Sequence, residues 1–202
     1  MQALRRWKIA LFLLSLVPLG LLIVDTFADR LGANPIEEIT HRTGEWALRF
    51  LLLTLAVTPA RLAFNAPRLL AFRRTLGLFA FFYAGLHLTT YIWLDQFFDA
   101  RAMAADILDR PFITLGFAAF AILLPLAATS TGAMMRRLGR RWQQLHRLVY
   151  LAAILAVLHF WLLVKADIRE PAVYAAVLTF LLGVRLWRAR RGAALSATSL
   201  RA

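Results

Sequence analysis

The chain has 202 residues, 61% of them apolar, and a mean hydropathy of +0.65; a water-soluble domain of this size does not carry so much apolar sequence. Its net charge of +13 does not make it a nucleic-acid binder, because the basic residues sit in short clusters between apolar runs, where a membrane protein keeps its cytoplasmic charge. The absence of cysteine excludes disulfides, thiolate metal sites, iron–sulfur clusters and covalently attached c-type haem.

Apolar runs close to bilayer length follow one another and predict six transmembrane helices, near residues 8–24, 45–63, 75–94, 112–129, 145–164 and 172–187. The first run lies behind Arg5, Arg6 and Lys8 like the core of a signal peptide, but no small-x-small cleavage site follows it, so it reads as a retained helix. The connections are short and carry turn formers, as in Gly32-Ala33-Asn34-Pro35, Asn65-Ala66-Pro67 and Thr131-Gly132. They leave no room for a soluble domain, and residues 1–202 read as a single all-α integral membrane bundle without an internal repeat.

Lys and Arg of short loops stay on the cytoplasmic side. The clusters Arg5, Arg6, Lys8; Arg61, Arg68, Arg73, Arg74; Arg136, Arg137, Arg140, Arg141, Arg147; and Arg185, Arg188, Arg190, Arg191, Arg201 hold 17 of the 24 basic residues. All 11 acidic residues, from Asp25 and Asp29 to Asp167 and Glu170, fall at the opposite helix ends. Both termini are therefore expected in the cytoplasm, with a carboxylate-rich outer surface that either steers a basic partner or solvates the loops.

Of the four histidines, His87, His146 and His159 lie in or at the end of apolar helices, where an ionisable group is a functional candidate by default. His87 follows Arg74 by 13 residues, and His159 follows His146 by 13. On two helices running the same way, that puts His87 and His159 at one level, about 20 Å from the basic ends. Two imidazoles facing each other at one depth are the axial pair of a low-spin b-type haem, suited to electron transfer. The small residues Gly77, Ala80 and Ala84 before His87, and Ala152 and Ala156 before His159, offer a flat ligand room or simply permit close helix packing. His146 lacks a histidine opposite, since Arg73 or Arg74 holds that level, and an ideal helix sets it about 140° round from His159. It is left to a second haem with an unusual partner, to a quinone or flavin site, or to local hydrogen bonding. His41, in Thr40-His41-Arg42-Thr43-Gly44, reads as loop before the second helix, with Thr40 or Thr43 as a cap.

No G-x-G-x-x-G after a strand, P-loop or H-E-x-x-H occurs, so a reductant must come from outside the chain. Two alternatives to an electron-transfer subunit stay open. One is a stand-alone transmembrane ferric or oxygen reductase; the other is a transporter or assembly protein with structural histidines.

Several ordered segments carry a family resemblance. They are Thr40-His41-Arg42-Thr43-Gly44 with Leu52 to Pro59; Arg73-Arg74-Thr75-Leu76-Gly77 with Leu86-His87-Leu88-Thr89-Thr90-Tyr91; Arg110-Pro111-Phe112-Ile113-Thr114; Leu126 to Thr131; and Arg141 to Tyr150 with His159-Phe160-Trp161. In these the chain resembles the MsrQ family of ferric-reductase-like membrane proteins. The resemblance implies a bacterial inner-membrane subunit that binds haem b through His87, His159 and His146, with FMN as a further cofactor. It implies electrons taken from the quinone pool or a flavin, and a periplasmic molybdopterin-containing methionine sulfoxide reductase as the partner that carries the catalytic site. The broader family holds two haems on four histidines; here Arg73 or Arg74 stands at the fourth position, so one haem is expected, with a second left open at His146.

Overall fold

The computed structural model describes residues 2–164 and 167–199, with side chains to residue 191 in the last helix. The elements are α1 (Gln2–Phe27), α2 (Pro35–Ala63), α3 (Arg73–Thr90), α4 (Ala100–Asp109), α5 (Pro111–Ala128), α6 (Gly132–Leu138), α7 (Arg140–His146), α8 (Val149–Leu163) and α9 (Arg169–Ser199). A 3-10 turn, Pro67–Phe72, leads into α3, and a π-helical turn, Tyr91–Asp95, ends it. No strand occurs among the described residues, and six helical stretches are long and apolar enough to cross a membrane. Arg201, assigned above to the last basic cluster, lies outside the described residues.

The second span begins at Pro35, well before residue 45, so His41 is a helical residue and neither Thr40 nor Thr43 is a cap. Asn34 caps the helix instead, its side chain accepting the Glu37 N–H. Pro35 fixes φ at the first helical position, and Glu37 and Glu38 meet the positive end of the dipole. Thr40 and Thr43 donate their hydroxyls back to the Ile36 and Ile39 carbonyls within the helix. The fifth span is not one ideal helix either. At Arg147 and Leu148 the ladder tightens to i−3 bonds, from Leu148 N–H to the Leu145 carbonyl and from Tyr150 N–H to the Arg147 carbonyl. The 140° separation drawn for a continuous helix therefore does not hold across that joint.

The bundle is built from two helical hairpins, α2 against α3 and α5 against α8, with α1 laid on the first and α9 bridging α8 and α2. Their shared core contains Leu51, Leu55, Phe79, Ala80, Tyr83, Ala152, Ala153 and Val157. The small residues at 80 and 152 serve contact here, since both alanines are fully buried. Large apolar side chains such as Leu14, Phe27, Leu53 and Phe180 cover the outside, as a lipid-facing surface requires.

Polar groups tie the peripheral helices to this core where prolines disturb the backbone. Pro59 has no N–H, so it cannot serve the Leu55 carbonyl four residues earlier; Arg185 of α9 donates to that oxygen at 2.5 Å. Beside Pro18 in α1, the buried Tyr83 hydroxyl accepts the Leu19 N–H at 3.1 Å and donates to the Ser15 carbonyl at 2.8 Å. Tyr83→Phe strips this bridge without changing the packing volume. A loss of about 1–3 kcal/mol is expected for unsatisfied buried groups, measurable as a lower unfolding midpoint in detergent; an unchanged midpoint would show that α1 docks by apolar contact alone.

Candidate functional site

His87 on α3 and His159 on α8 come together between the hairpins, with ring centroids 6.0 Å apart and planes at 75°. Each ring is held in the same way. His87 Nδ1 lies 2.9 Å from the Thr40 carbonyl, and His159 Nδ1 lies 2.6 Å from the Phe112 carbonyl. A carbonyl can only accept, so each Nδ1 carries the proton and each Nε2 keeps its lone pair. Neither Nε2 has a hydrogen-bond partner among the described residues.

A glycine one turn beyond each carbonyl makes this placement possible. A Cβ on Gly44 would stand 3.0 Å from His87 Nδ1, and one on Gly116 would stand 2.9 Å from His159 Nδ1. Both glycines are helical and neither has a positive φ, so their use is to let a ring lie against the neighbouring backbone. The two half-sites share one register, with 47 residues between carbonyl and histidine in each. The sequence carries this equivalence as paired spacings of histidine and glycine, a signal far weaker than sequence similarity.

The pair lines a cavity of about 710 Å³, within the roughly 300–1,000 Å³ of small-molecule and cofactor sites. Its lining includes Leu48, Leu51, Ala84, Phe117, Leu123 and Ala156, together with Glu45 and Tyr91, and the exposed His41 and Arg110 mark its mouth. Of the small residues read as making room for a flat ligand, Ala84 and Ala156 line this cavity. Phe97 lines it too, from a backbone with φ of 46°, followed by Phe98 at 62°. Two successive aromatic residues in the left-handed region cost about 1–2 kcal/mol each.

His146 is not part of this pair. It stacks on Trp142 with centroids 3.9 Å apart, and its Nε2 lies 3.0 Å from the Thr129 hydroxyl. That hydroxyl gives its own proton to the Pro125 carbonyl at 2.6 Å, so His146 Nε2 donates to it. The Trp142 indole N–H fixes the same corner through the Thr129 carbonyl at 3.0 Å. With Arg73, Arg74, Gly77, Ser130 and Trp142, His146 lines a second, smaller cavity of about 210 Å³. Leu51 and Leu123 line both cavities.

Two histidines offered across a cavity between membrane-spanning hairpins point to a known class. The family described as ferric reductase like transmembrane component matches residues 43–157, a stretch holding Gly44, His87, Gly116 and His146. Among curated proteins, the chain is 50% identical over 199 residues to the protein-methionine-sulfoxide reductase heme-binding subunit MsrQ of Herminiimonas arsenicoxydans, covering 95% of this chain and 91% of the relative. It is 51% identical to the protein of the same name from Ralstonia nicotianae over 195 residues, 95% of this chain and 90% of the relative. The like-named protein of Xanthomonas campestris pv. campestris (strain 8004) is 56% identical over 161 residues, 80% and 74% of the two chains. The chain belongs to the MsrQ family within the ferric-reductase-like transmembrane proteins. No solved structure matches it significantly.

Proposed function

We propose that the chain is an electron-transfer subunit that holds one haem b between His87 and His159 and passes electrons across the membrane to a periplasmic methionine sulfoxide reductase. The observation that carries this reading is the twofold half-site, in which each imidazole is locked by Nδ1 and offers Nε2 to the cavity. His87 and His159 would hold the group through their free Nε2 atoms, one from each hairpin. Their ring centres stand 6.0 Å apart, which leaves space between the two rings. No cluster of three or more histidines and carboxylates suited to a metal occurs among the described residues. The pair therefore suits an ion whose remaining ligands come from a macrocycle. When bound, such a group supplies a one-electron iron couple.

The chain's own residues do the rest. Thr40 and Phe112 carbonyls orient the ligating rings and raise their basicity. The apolar walls suit a macrocycle, and the excess of basic residues at the opposite helix ends supports placing the mouth with its carboxylates on the periplasmic side. That orientation puts both termini in the cytoplasm of a bacterial inner membrane and the molybdopterin-bearing catalytic subunit outside. The smaller cavity, with Arg73, Arg74, Trp142 and His146, then faces the cytoplasmic half, where a quinone or the FMN suggested by the family resemblance delivers electrons. The engaged Nε2 of His146 favours this role over iron ligation.

The test is the haem-to-protein ratio of the detergent-purified chain, with its reduced-minus-oxidised spectrum, for wild type and His146→Ala. One b-type haem per chain, retained in the variant, is expected. A colourless protein that cannot be reconstituted would sink the reading; loss of the haem in His146→Ala would move the site to the smaller cavity.

A further inference from the structure

The large cavity ends in a mouth whose charges the electron-transfer reading leaves unused. Besides His87 and His159, the basic groups lining it are His41 and Arg110. Each stands beside one half-site: His41 directly follows Thr40, and Arg110 precedes Phe112 by two residues. Both are exposed. Arg110 meets Asp106 Oδ1 through Nε at 3.2 Å, a contact that leaves its terminal nitrogens available. His41 has no hydrogen-bond partner among the described residues.

The three carboxylates lining the same cavity are engaged elsewhere. Glu45 accepts from Arg49 at 2.7 Å, Glu37 from the Asn34 amide at 2.9 Å, and Asp95 from the Gln96 amide at 3.1 Å. The mouth thus presents two basic side chains with unused hydrogen-bonding nitrogens on opposite half-sites, above apolar walls that cannot accommodate an anion.

We propose that His41 and Arg110 form a two-point carboxylate clamp that takes the propionates of the haem held by His87 and His159. The proposal rests on the haem reading above. An apolar cavity accepts the macrocycle but rejects ionised carboxylates, so one edge of the ligand must face the mouth, and that is where these two residues stand. Arginine suits the task because its planar fork matches a carboxylate.

The experiment reconstitutes the full-length apo chain in detergent with haem and with haem dimethyl ester, whose propionates are blocked. The readouts are Kd and midpoint potential. Wild type is expected to bind the ester roughly tenfold or more weakly, the scale of a charge-assisted hydrogen bond. The double variant His41→Gln/Arg110→Gln should bind both forms about equally, Arg110→Lys should recover part of the discrimination, and the haem potential should fall in Arg110→Gln. Equal binding of both forms by wild type, which needs no variant to fold, overturns the clamp, as does undiminished discrimination in the double variant. Haem that fails to bind wild type, or that binds without His87 and His159, overturns the haem reading itself and the clamp with it.

Discussion

Replacing His159 by Ala is expected to remove the bis-histidine spectrum of the purified chain and to lower its haem content by roughly tenfold or more, since even outer-shell partners of a ligand are worth about 10–100-fold. His87→Ala should do the same, because the two rings face one cavity at 6.0 Å and neither has a substitute. Removing both should cost little more than removing one, as happens when residues act as a unit. Helical content should survive, because the cavity is already open and the fully buried Leu55, Ala80 and Ala152 do not line it. Added imidazole should restore part of the spectrum. Haem retained in full by His159→Ala would refute the ligand assignment.

The second large effect concerns no ligand at all. Gly116→Ala removes a helical glycine, and on propensity alone it would stabilise α5 by about 0.5–1 kcal/mol. The new methyl, however, meets His159 Nδ1 at 2.9 Å and Cε1 at 3.1 Å. Relief requires the ring to swing away from the Phe112 carbonyl, at the cost of a buried hydrogen bond of about 1 kcal/mol and overpacking of about 1–3 kcal/mol. The clash outweighs the propensity. The expected result is a chain that folds but holds haem weakly, with a shifted potential; Gly44→Ala should follow in milder form, at 3.0 Å from His87. A Gly116→Ala variant with wild-type haem content and potential would show that the ring does not need this seat.

The histidines were conspicuous because imidazole at membrane depth has few ordinary reasons to be there, and counting from the basic helix ends put His87 and His159 at one level. The six spans were legible for the same reason, since long apolar runs between charges admit little else. Their edges were not. The start of α2 is polar, so hydropathy passes over Asn34 and Pro35 although the capping signal is present, and His41 reads as loop. The short helix α4 escaped because it is neither long nor apolar; its start is set by the Asp99 side chain accepting the Arg101 and Ala102 N–H groups. Gly44 and Gly116 were hidden most thoroughly. One lies in a segment that reads as loop, the other between Leu115 and Phe117 in an apolar run, and what they touch is 43 residues further along the chain in both cases.

The shared register of the two hairpins bears on how such a protein comes into being. Carbonyl, glycine and histidine of one half-site all belong to α2 and α3, and those of the other to α5 and α8. Each hairpin can therefore orient its imidazole as soon as its own two helices have met in the bilayer, without waiting for the rest of the chain. On the proposed reading, each half-site would then be in place before the group arrives, and cofactor supply would bear on the last step of maturation and not on the meeting of the helices.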